Sequence, residues 1–252
     1  MLEENLSRTY SEQDLIAEAR KSPWLFEPGQ SWWYSNTGYV VLSVMLEEAT
    51  GVGLPRLIRD EVFKPAGMQH SRLEESPLVR GRYLMPYAVL TDGEVVELEE
   101  MNPTIFFGAG GVYATAEDIT DFTGALMRGE LLPADLVETM TTPIGAAELS
   151  GYGYGLMRFS GVLEDSEGRL EPLIGHSGTG FGTMTTSLTT RDGSQRVCVA
   201  WTGRDWTRPN PNGPDSAAAR KLLLETATTG TKLAEGEPMV TESELGGGPL
   251  HL

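Results

Sequence analysis

The chain has 252 residues, 40% of them hydrophobic, so it is long enough to bury a sizeable core as one large domain or two small ones. Its 36 acidic and 19 basic residues give a formal net charge of −17. A surface of that charge repels a phosphate backbone, which excludes nucleic acid as an expected partner. The sequence shows neither a signal peptide after Met1 nor an apolar run of the roughly 18 residues that a membrane span requires.

The first part of the chain is predicted to be mainly helical. Ser11 and Asp14 form a capping-box pattern at the start of a helix over 12–20. An apolar run that begins at Gly38 predicts a buried helix, and Gly51 is suited to end it. A shorter helix is predicted over 54–63, and strand-like pieces follow at 87–90 and 94–100.

The middle of the chain predicts one well-bounded helix. Thr115 is suited to cap its start, and Gly129 is suited to end it. The side chains of Ile119, Phe122 and Leu126 fall on one face of this helix. Another short helix is predicted to begin near Pro133.

The last third is rich in β-branched and aromatic residues, which favour strands. Asp192-Gly193 is typical of a tight hairpin turn. Strands are predicted over 151–159, 169–176, 183–190 and 196–203, and a closing helix over 215–228.

These patterns predict an α+β fold in which an antiparallel sheet is flanked by helices, with a helical subdomain. We expect one domain over residues 1–228, mainly helical over 1–105 and mainly sheet over 106–228. Residues 229–252 carry a Gly-Gly-Gly run and several glutamates, and are predicted to form a flexible tail. The lone Cys198 excludes an intrachain disulfide, and its apolar surroundings favour a small buried hydrophobic residue over a nucleophile.

Tyr34-Ser35-Asn36 lies between a Pro-Gly turn and an apolar helix, a position at the mouth of a rigid element where functional side chains are often found. A tyrosine relays protons to and from a serine if a nearby cation lowers its pKa. An asparagine offers a donor and an acceptor to a substrate amide. The structural alternative is that Tyr34 packs in the core and Asn36 caps the helix.

A second candidate motif is His176-Ser177-Gly178-Thr179, which follows the apolar pair Leu173-Ile174. A glycine on an edge strand lets a substrate backbone pair with that strand. The hydroxyls of Ser177 and Thr179 are suited to hold a substrate carboxylate, with His176 adding a positive or polar edge. The structural alternative is a histidine satisfied within a β-strand.

Gly175-His176-Ser177-Gly178 also resembles the nucleophile elbow of an α/β-hydrolase, in which Ser177 would be the nucleophile. That motif requires a sharp turn into a helix and a further glycine at the position of Thr179. Because β-branched residues follow instead, the elbow is disfavoured.

Five segments in the same order resemble one family over nearly the whole chain to about residue 228. The family is that of the class C β-lactamase-like serine hydrolases, and the likeness is strongest to secreted actinomycete D-alanyl-D-alanine carboxypeptidases. It implies acyl transfer through a serine ester with no metal and no cofactor, an extracellular or cell-envelope location, and a small peptide or ester substrate, β-lactams included. An esterase or β-lactamase of the same family stays open, as does a non-catalytic peptide-binding module. The five segments are FEPGQSWWYSNTGYVVLSVMLEEATG, EVFKPAGMQHS, GAGGVYATAEDITDF, YGYGL and GHSGTGFG.

The resemblance implies a role for each matching residue. Tyr34 matches the catalytic tyrosine that relays protons, and Asn36 matches the residue that binds the amide side of the substrate. His176 and Gly178 match the motif strand beside the oxyanion hole.

The resemblance also implies three residues for the substrate carboxylate. Ser177 stands where the family has threonine, which keeps the hydroxyl. Thr179 matches the second hydroxyl that holds the terminal carboxylate of a carboxypeptidase substrate. Arg158 lies near the position from which the family supplies an arginine to that carboxylate.

The family's nucleophile, a serine three residues before a lysine, has no match. The residues three positions before the four lysines are Glu18, Glu61, Ala218 and Thr229. The family's N-terminal segment, with its Ser-x-x-Lys helix, is thus expected to be missing. A late start or incomplete gene is favoured over two alternatives, a nucleophile segment on a separate complementing chain and a pseudoenzyme that retains only binding.

Overall fold

The computed structural model of the chain describes residues 6–74, 82–98, 101–148, 150–164, 167 and 170–207. It combines α-helices with sheets of mainly antiparallel strands, which confirms the predicted α+β class. The helix predicted over 215–228 and the tail predicted over 229–252 lie outside the described residues.

The described α-helices begin and end largely at the residues that the sequence indicates. Ser11 and Asp14 form the predicted capping box of α1. Gly51 ends α2 with a φ of 66°, in the left-handed region that favours glycine. Thr115 caps α4 by accepting a hydrogen bond from the backbone N–H of Asp118. The helices are α1 (Glu12–Ala19), α2 (Asn36–Thr50), α3 (Leu54–Ile58), α4 (Ala116–Met127) and α5 (Ala134–Thr141).

The short helix predicted over 54–63 is α-helical only in its first half. From Arg59 to Phe63 the chain forms a π-helical turn, in which the N–H of Lys64 donates to the carbonyl of Arg59 at 3.0 Å.

The main sheet has four antiparallel strands in the order β5-β6-β7-β8. The tight turn predicted at Asp192-Gly193 joins β7 to β8, and Gly193 has a φ of 70°. The strands are β5 (Met157–Glu164), β6 (Leu170–Thr179), β7 (Thr183–Thr189) and β8 (Arg196–Thr202).

Two smaller sheets complete the described strands. One pairs β1 with β4, and the other has the order β3-β2-β9, in which β2 and β9 run parallel. These strands are β1 (Arg72–Leu73), β2 (Tyr87–Val89), β3 (Val95–Glu97), β4 (Val112–Tyr113) and β9 (Arg204–Asp205).

The strand predicted over 151–159 begins only at Met157. Gly151 and Gly155 adopt φ values of 68° and 77°, so the Gly-Tyr-Gly-Tyr-Gly segment forms turns that lead into β5. These turns place Tyr152 beside the sheet, where it is buried.

Both faces of the main sheet are covered. Leu173 packs in a cluster with Phe159 and Leu188, whereas the next residue, Ile174, packs against Leu126 of α4. Alternate residues of a strand point to opposite faces, so β6 lies between two apolar layers. In the part of the chain that the structure describes, no helix is long and apolar enough to span a membrane.

Candidate active site

Tyr34 is fixed at the N-terminal end of α2 by local hydrogen bonding. The side chain of Ser35 accepts a hydrogen bond from the N–H of Gly38 at 3.1 Å and caps the helix. The alternative in which Asn36 is the cap is therefore wrong, and Asn36 is instead the exposed first residue of the helix. Tyr34 is half-buried and packs against the apolar cluster of the main sheet.

The second motif lies on β6, beyond the end of its neighbour β5. Within the described residues, the β5–β6 pairing extends no further than Met157 and Gly175. Residues 176–179 pair with β7 on their other side, from His176 opposite Ser187 to Thr179 opposite Met184. The motif is thus the part of β6 that extends beyond β5 and pairs with β7.

Ser177 lies within this strand and not on a turn, and the chain continues into β7 rather than a helix. The elbow of an α/β-hydrolase requires a strand, a sharp turn and a helix. The structure therefore excludes the elbow.

The fold brings the two motifs together through aromatic contacts. The ring centroids of Tyr34 and His176 lie 5.9 Å apart. Tyr152 lies 5.7 Å from each of them, and the Tyr34 and Tyr39 rings lie 6.0 Å apart. Trp32 packs on Tyr152 at 5.2 Å. We call these five residues the aromatic cluster.

A hydrogen-bonded chain runs through this cluster. The hydroxyls of Tyr39 and Tyr152 are hydrogen-bonded to each other, and the Tyr152 hydroxyl lies 3.2 Å from Nε2 of His176. On the other side of the ring, Nδ1 lies 2.5 Å from the carbonyl oxygen of Ser177. Burial raises the pKa of the Tyr152 phenol above its ordinary value, and the neighbouring Tyr39 hydroxyl raises it further, so Tyr152 stays protonated.

The two glycines of the second motif lie against β7. A Cβ atom at Gly175 would meet the backbone oxygen of Ser187 at 1.9 Å, and one at Gly178 would meet Oγ1 of Thr185 at 2.6 Å. These close approaches explain why the strand carries glycine at both positions.

Arg158 is the one predicted site residue that the structure places away from the others. It pairs with Ile174, five residues before Thr179 along β6, which corresponds to about 17 Å of strand. Its Nε donates to the carbonyl oxygen of Thr141 at the end of α5, at 3.1 Å. The register thus gives Arg158 no contact with the motif hydroxyls.

Arg204 lies much closer to the end of the second motif. Its NH1 group donates to the carbonyl oxygen of Gly180 at 2.6 Å, and its guanidinium stacks on Trp206 at 3.9 Å. The side chain is buried, so it fixes the turn that follows Thr179. Sequence reasoning missed this arginine because β9 is only two residues long. Among the described residues, no three His, Cys, Asp or Glu side chains gather as a metal site would require.

A comparison with protein families identifies the chain. The model of the Beta-lactamase family matches residues 2–224. The chain belongs to the Beta-lactamase family. The resemblance carried by the Tyr-Ser-Asn and His-Ser-Gly-Thr motifs is thereby confirmed, and this family has the same α+β fold.

Similar proteins of this family include penicillin-binding proteins and an amidohydrolase. Penicillin-binding protein 4* of Bacillus subtilis (strain 168) is 33% identical over 176 residues, which are 63% of this chain and 37% of that protein. The D-stereospecific amidohydrolase from Streptomyces sp. has a TM-score of 0.74 at 25% identity, over 91% of this chain and 64% of that one. The penicillin binding protein from Bacillus halodurans has a TM-score of 0.66 at 25% identity, over 84% of this chain and 62% of that one.

The chain therefore spans less than two thirds of each of these family members.

The sequence patterns of the two motifs do not indicate Tyr39 and Tyr152 as site residues. The one pattern that contains both is the order of the family segments, in which Tyr39 follows the first motif and Tyr152 opens YGYGL.

Proposed function

We propose that this chain forms the substrate-recognition and proton-relay side of a serine-type hydrolase that acts on peptides ending in D-alanyl-D-alanine. The observation that carries the proposal is the contact between Tyr34, just before α2, and His176, on the part of β6 that extends beyond β5. By the same family resemblance, we propose an extracellular or cell-envelope location.

Each group has a part in this chemistry. Tyr34 takes a proton from the attacking serine and passes it to the leaving amine. Asn36 hydrogen-bonds the substrate amide, and the edge of β6 that extends beyond β5 lies along the substrate backbone. Ser177 and Thr179, at the far end of the same edge, hold the terminal carboxylate.

The nucleophile is not among these 252 residues, because no serine lies three positions before a lysine. Acyl-enzyme chemistry requires that pair. We propose that a segment outside these residues supplies it, either upstream in the same polypeptide or on a separate chain. Its lysine would also be the cation that keeps Tyr34 basic.

Helix α2 offers the surface on which that segment packs. Val41, Leu42, Met45 and Leu46 lie on one face of α2 and are between 38% and 59% exposed, whereas Val40 on the opposite face is buried. A contiguous exposed apolar face of this kind is one that a complete fold usually buries. Because this chain covers 64% of the Streptomyces amidohydrolase, more than a third of that protein has no counterpart here to cover such a face. Helix α2 begins two residues after Tyr34, where the serine must arrive.

A fluorescent penicillin tests the proposal. The 252-residue chain alone should not be labelled covalently, and a form extended upstream to a Ser-x-x-Lys should be labelled and should release D-alanine from a D-Ala-D-Ala peptide. The matched control is a peptide that ends in L-Ala-L-Ala, which should not be cleaved. Covalent labelling of the 252-residue chain alone would show that its nucleophile lies within it.

The extended form also separates the alternatives. The 25% identity and fold match to a D-stereospecific amidohydrolase favour amidase activity as the second candidate. Faster release of ammonia from a D-amino acid amide than of D-alanine from the peptide would support it. Preferred hydrolysis of a simple ester or of a β-lactam would indicate an esterase or a β-lactamase. An extended form that binds the D-Ala-D-Ala peptide without being acylated would indicate a binding module.

A further inference from the structure

Two tyrosines outside the two predicted motifs are hydrogen-bonded in series to the second motif. Tyr39 belongs to α2 and Tyr152 to the turns before β5, and their hydroxyls form a chain that ends on Nε2 of His176. We infer that Tyr39 and Tyr152 are positioning residues that hold His176 as the tautomer with its proton on Nδ1.

The tautomer follows from the partners of the ring. A carbonyl oxygen only accepts hydrogen bonds, so the 2.5 Å contact between Nδ1 and the Ser177 carbonyl requires the proton on Nδ1. In the neutral ring Nε2 is then an acceptor, and the hydroxyl of Tyr152 is its donor.

In this tautomer the two hydrogen bonds from Tyr39 through Tyr152 to His176 run in one direction. Each phenol has one hydrogen to donate, so Tyr39 donates to Tyr152 and Tyr152 donates to His176. Successive hydrogen bonds of the same direction polarise and strengthen one another. In the other neutral tautomer the carbonyl of Ser177 would face a bare Nδ1, and two acceptors would oppose each other.

This arrangement links the two elements that carry the site. Tyr39 lies on the same helix that begins beside Tyr34, and His176 lies on the part of β6 that extends beyond β5. Tyr152 packs edge-on against His176 at an interplanar angle of 88°, so it fixes the ring plane as well as the tautomer. In this tautomer the His176 ring beside Tyr34 carries no charge.

One consequence rests on the proposed function. With a neutral His176, the cation that keeps Tyr34 basic must come from elsewhere, and the lysine of the nucleophile segment is suited to supply it. The tautomer assignment itself does not depend on catalysis and is tested on the 252-residue chain.

The experiment is nitrogen-15 NMR of the histidine rings at a pH where they are neutral. The sequence has three histidines, so variants His70→Gln and His251→Gln assign the signals of His176. The wild type should show a single tautomer, with a one-bond N–H coupling on Nδ1 and an unprotonated Nε2. In Tyr152→Phe this pattern should be lost and replaced by signals averaged over both tautomers. Tyr39→Phe should move the Nε2 signal in the same direction by a smaller amount.

Tyr154→Phe is the matched control. Tyr154 lies two residues from Tyr152 in the same glycine-rich turns, is 56% exposed, and should leave the His176 signals unchanged. Near-ultraviolet circular dichroism checks that each variant is folded, since phenylalanine keeps the ring that the core requires.

A wild-type pattern with the proton on Nε2 would overturn the inference. A single Nδ1–H pattern that persists in Tyr152→Phe would also overturn it, because the carbonyl alone would then set the tautomer. Failure of penicillin labelling in the extended form would leave these signals unaffected, so the two proposals fail separately.

Discussion

Tyr34 and His176 come from distant parts of the sequence, yet their rings lie 5.9 Å apart with an interplanar angle of 46°. Each ring is also held in place by Tyr152, which is buried and whose ring centroid lies 5.7 Å from both. Rings held on several sides keep few alternative rotamers. The contacts between the two motifs are therefore formed within this chain, as the proposed recognition side requires of a preorganised site.

Removal of the Tyr34 hydroxyl should slow acylation without unfolding the protein. In a form extended to a Ser-x-x-Lys, Tyr34→Phe should lower the rate of labelling by fluorescent penicillin by about 10²- to 10⁴-fold, the range for loss of a general acid–base group. The ring that packs against Tyr152 is retained, so the melting temperature should change little. Tyr154→Phe is the control and should be labelled at the wild-type rate. Equal labelling rates for Tyr34→Phe and the wild type would remove Tyr34 from the proton relay.

Local patterns allowed much of the fold to be predicted, because the forces behind them act over a few residues. The capping box of Ser11 and Asp14 and the hairpin turn at Asp192-Gly193 each depend on neighbouring backbone groups. The antiparallel sheet follows from the strand pattern of the last third. In contrast, the strand predicted over 151–159 begins earlier than β5 does, since aromatic residues between glycines favour either a strand or a turn.

Long-range contacts could not be predicted from single residues. The parallel pairing of β2 with β9 joins two very short strands, of which the sequence indicates only β2. The hydrogen bonds that join Tyr39, Tyr152 and His176 exist only once α2, the turns before β5 and β6 have packed together. The same reason explains Arg158, for which a sequence position near the family's arginine did not fix the register on β5.

The glycines of the second motif should differ in their tolerance of alanine. Gly175→Ala would bring a Cβ atom to 1.9 Å from the backbone oxygen of Ser187, so β6 and β7 must separate. We expect it to lower the free energy of unfolding by about 3 kcal/mol. Gly178→Ala meets only the Oγ1 atom of Thr185, at 2.6 Å, and should cost about 1 kcal/mol.

Urea denaturation of the 252-residue chain measures both costs. The double variant Gly178→Ala, Thr185→Ala should regain most of the stability lost in Gly178→Ala, because the hydroxyl that is in the way has been removed. Thr185 is exposed, so Thr185→Ala alone should change the free energy of unfolding by less than about 0.5 kcal/mol. If the double variant is no more stable than Gly178→Ala, the hydroxyl of Thr185 is not what opposes the alanine side chain.

The exposed face of α2 should tolerate polar residues in the 252-residue chain. Leu42→Gln with Met45→Gln should change the free energy of unfolding by no more than about 1 kcal/mol and should lower the binding of a hydrophobic dye. Val40→Gln is the control on the opposite face, where the side chain is 3% exposed, and should cost at least about 2 kcal/mol. In the form extended upstream, the same two changes on the exposed face should weaken penicillin labelling, because we propose that the segment carrying the nucleophile packs there. Unchanged labelling would place that segment elsewhere.

Cys198 is half-buried on β8, and its thiol should react slowly with thiol reagents. Burial raises the pKa of its thiol from 9.0 to about 11, because the thiolate is disfavoured away from water. The native fold thus favours the protonated form. The stability that follows from this preference is fully present below pH 9 and is lost as the pH rises through about 11.

At about pH 8 the thiolate fraction of Cys198 should be about 100-fold lower in the folded chain than in the unfolded chain. Iodoacetamide should therefore alkylate the native chain at least about 100-fold more slowly than the chain in urea at the same pH. Cys198→Ser supplies the blank, and equal rates in the folded and unfolded chains would show that the thiol is a reactive, accessible group.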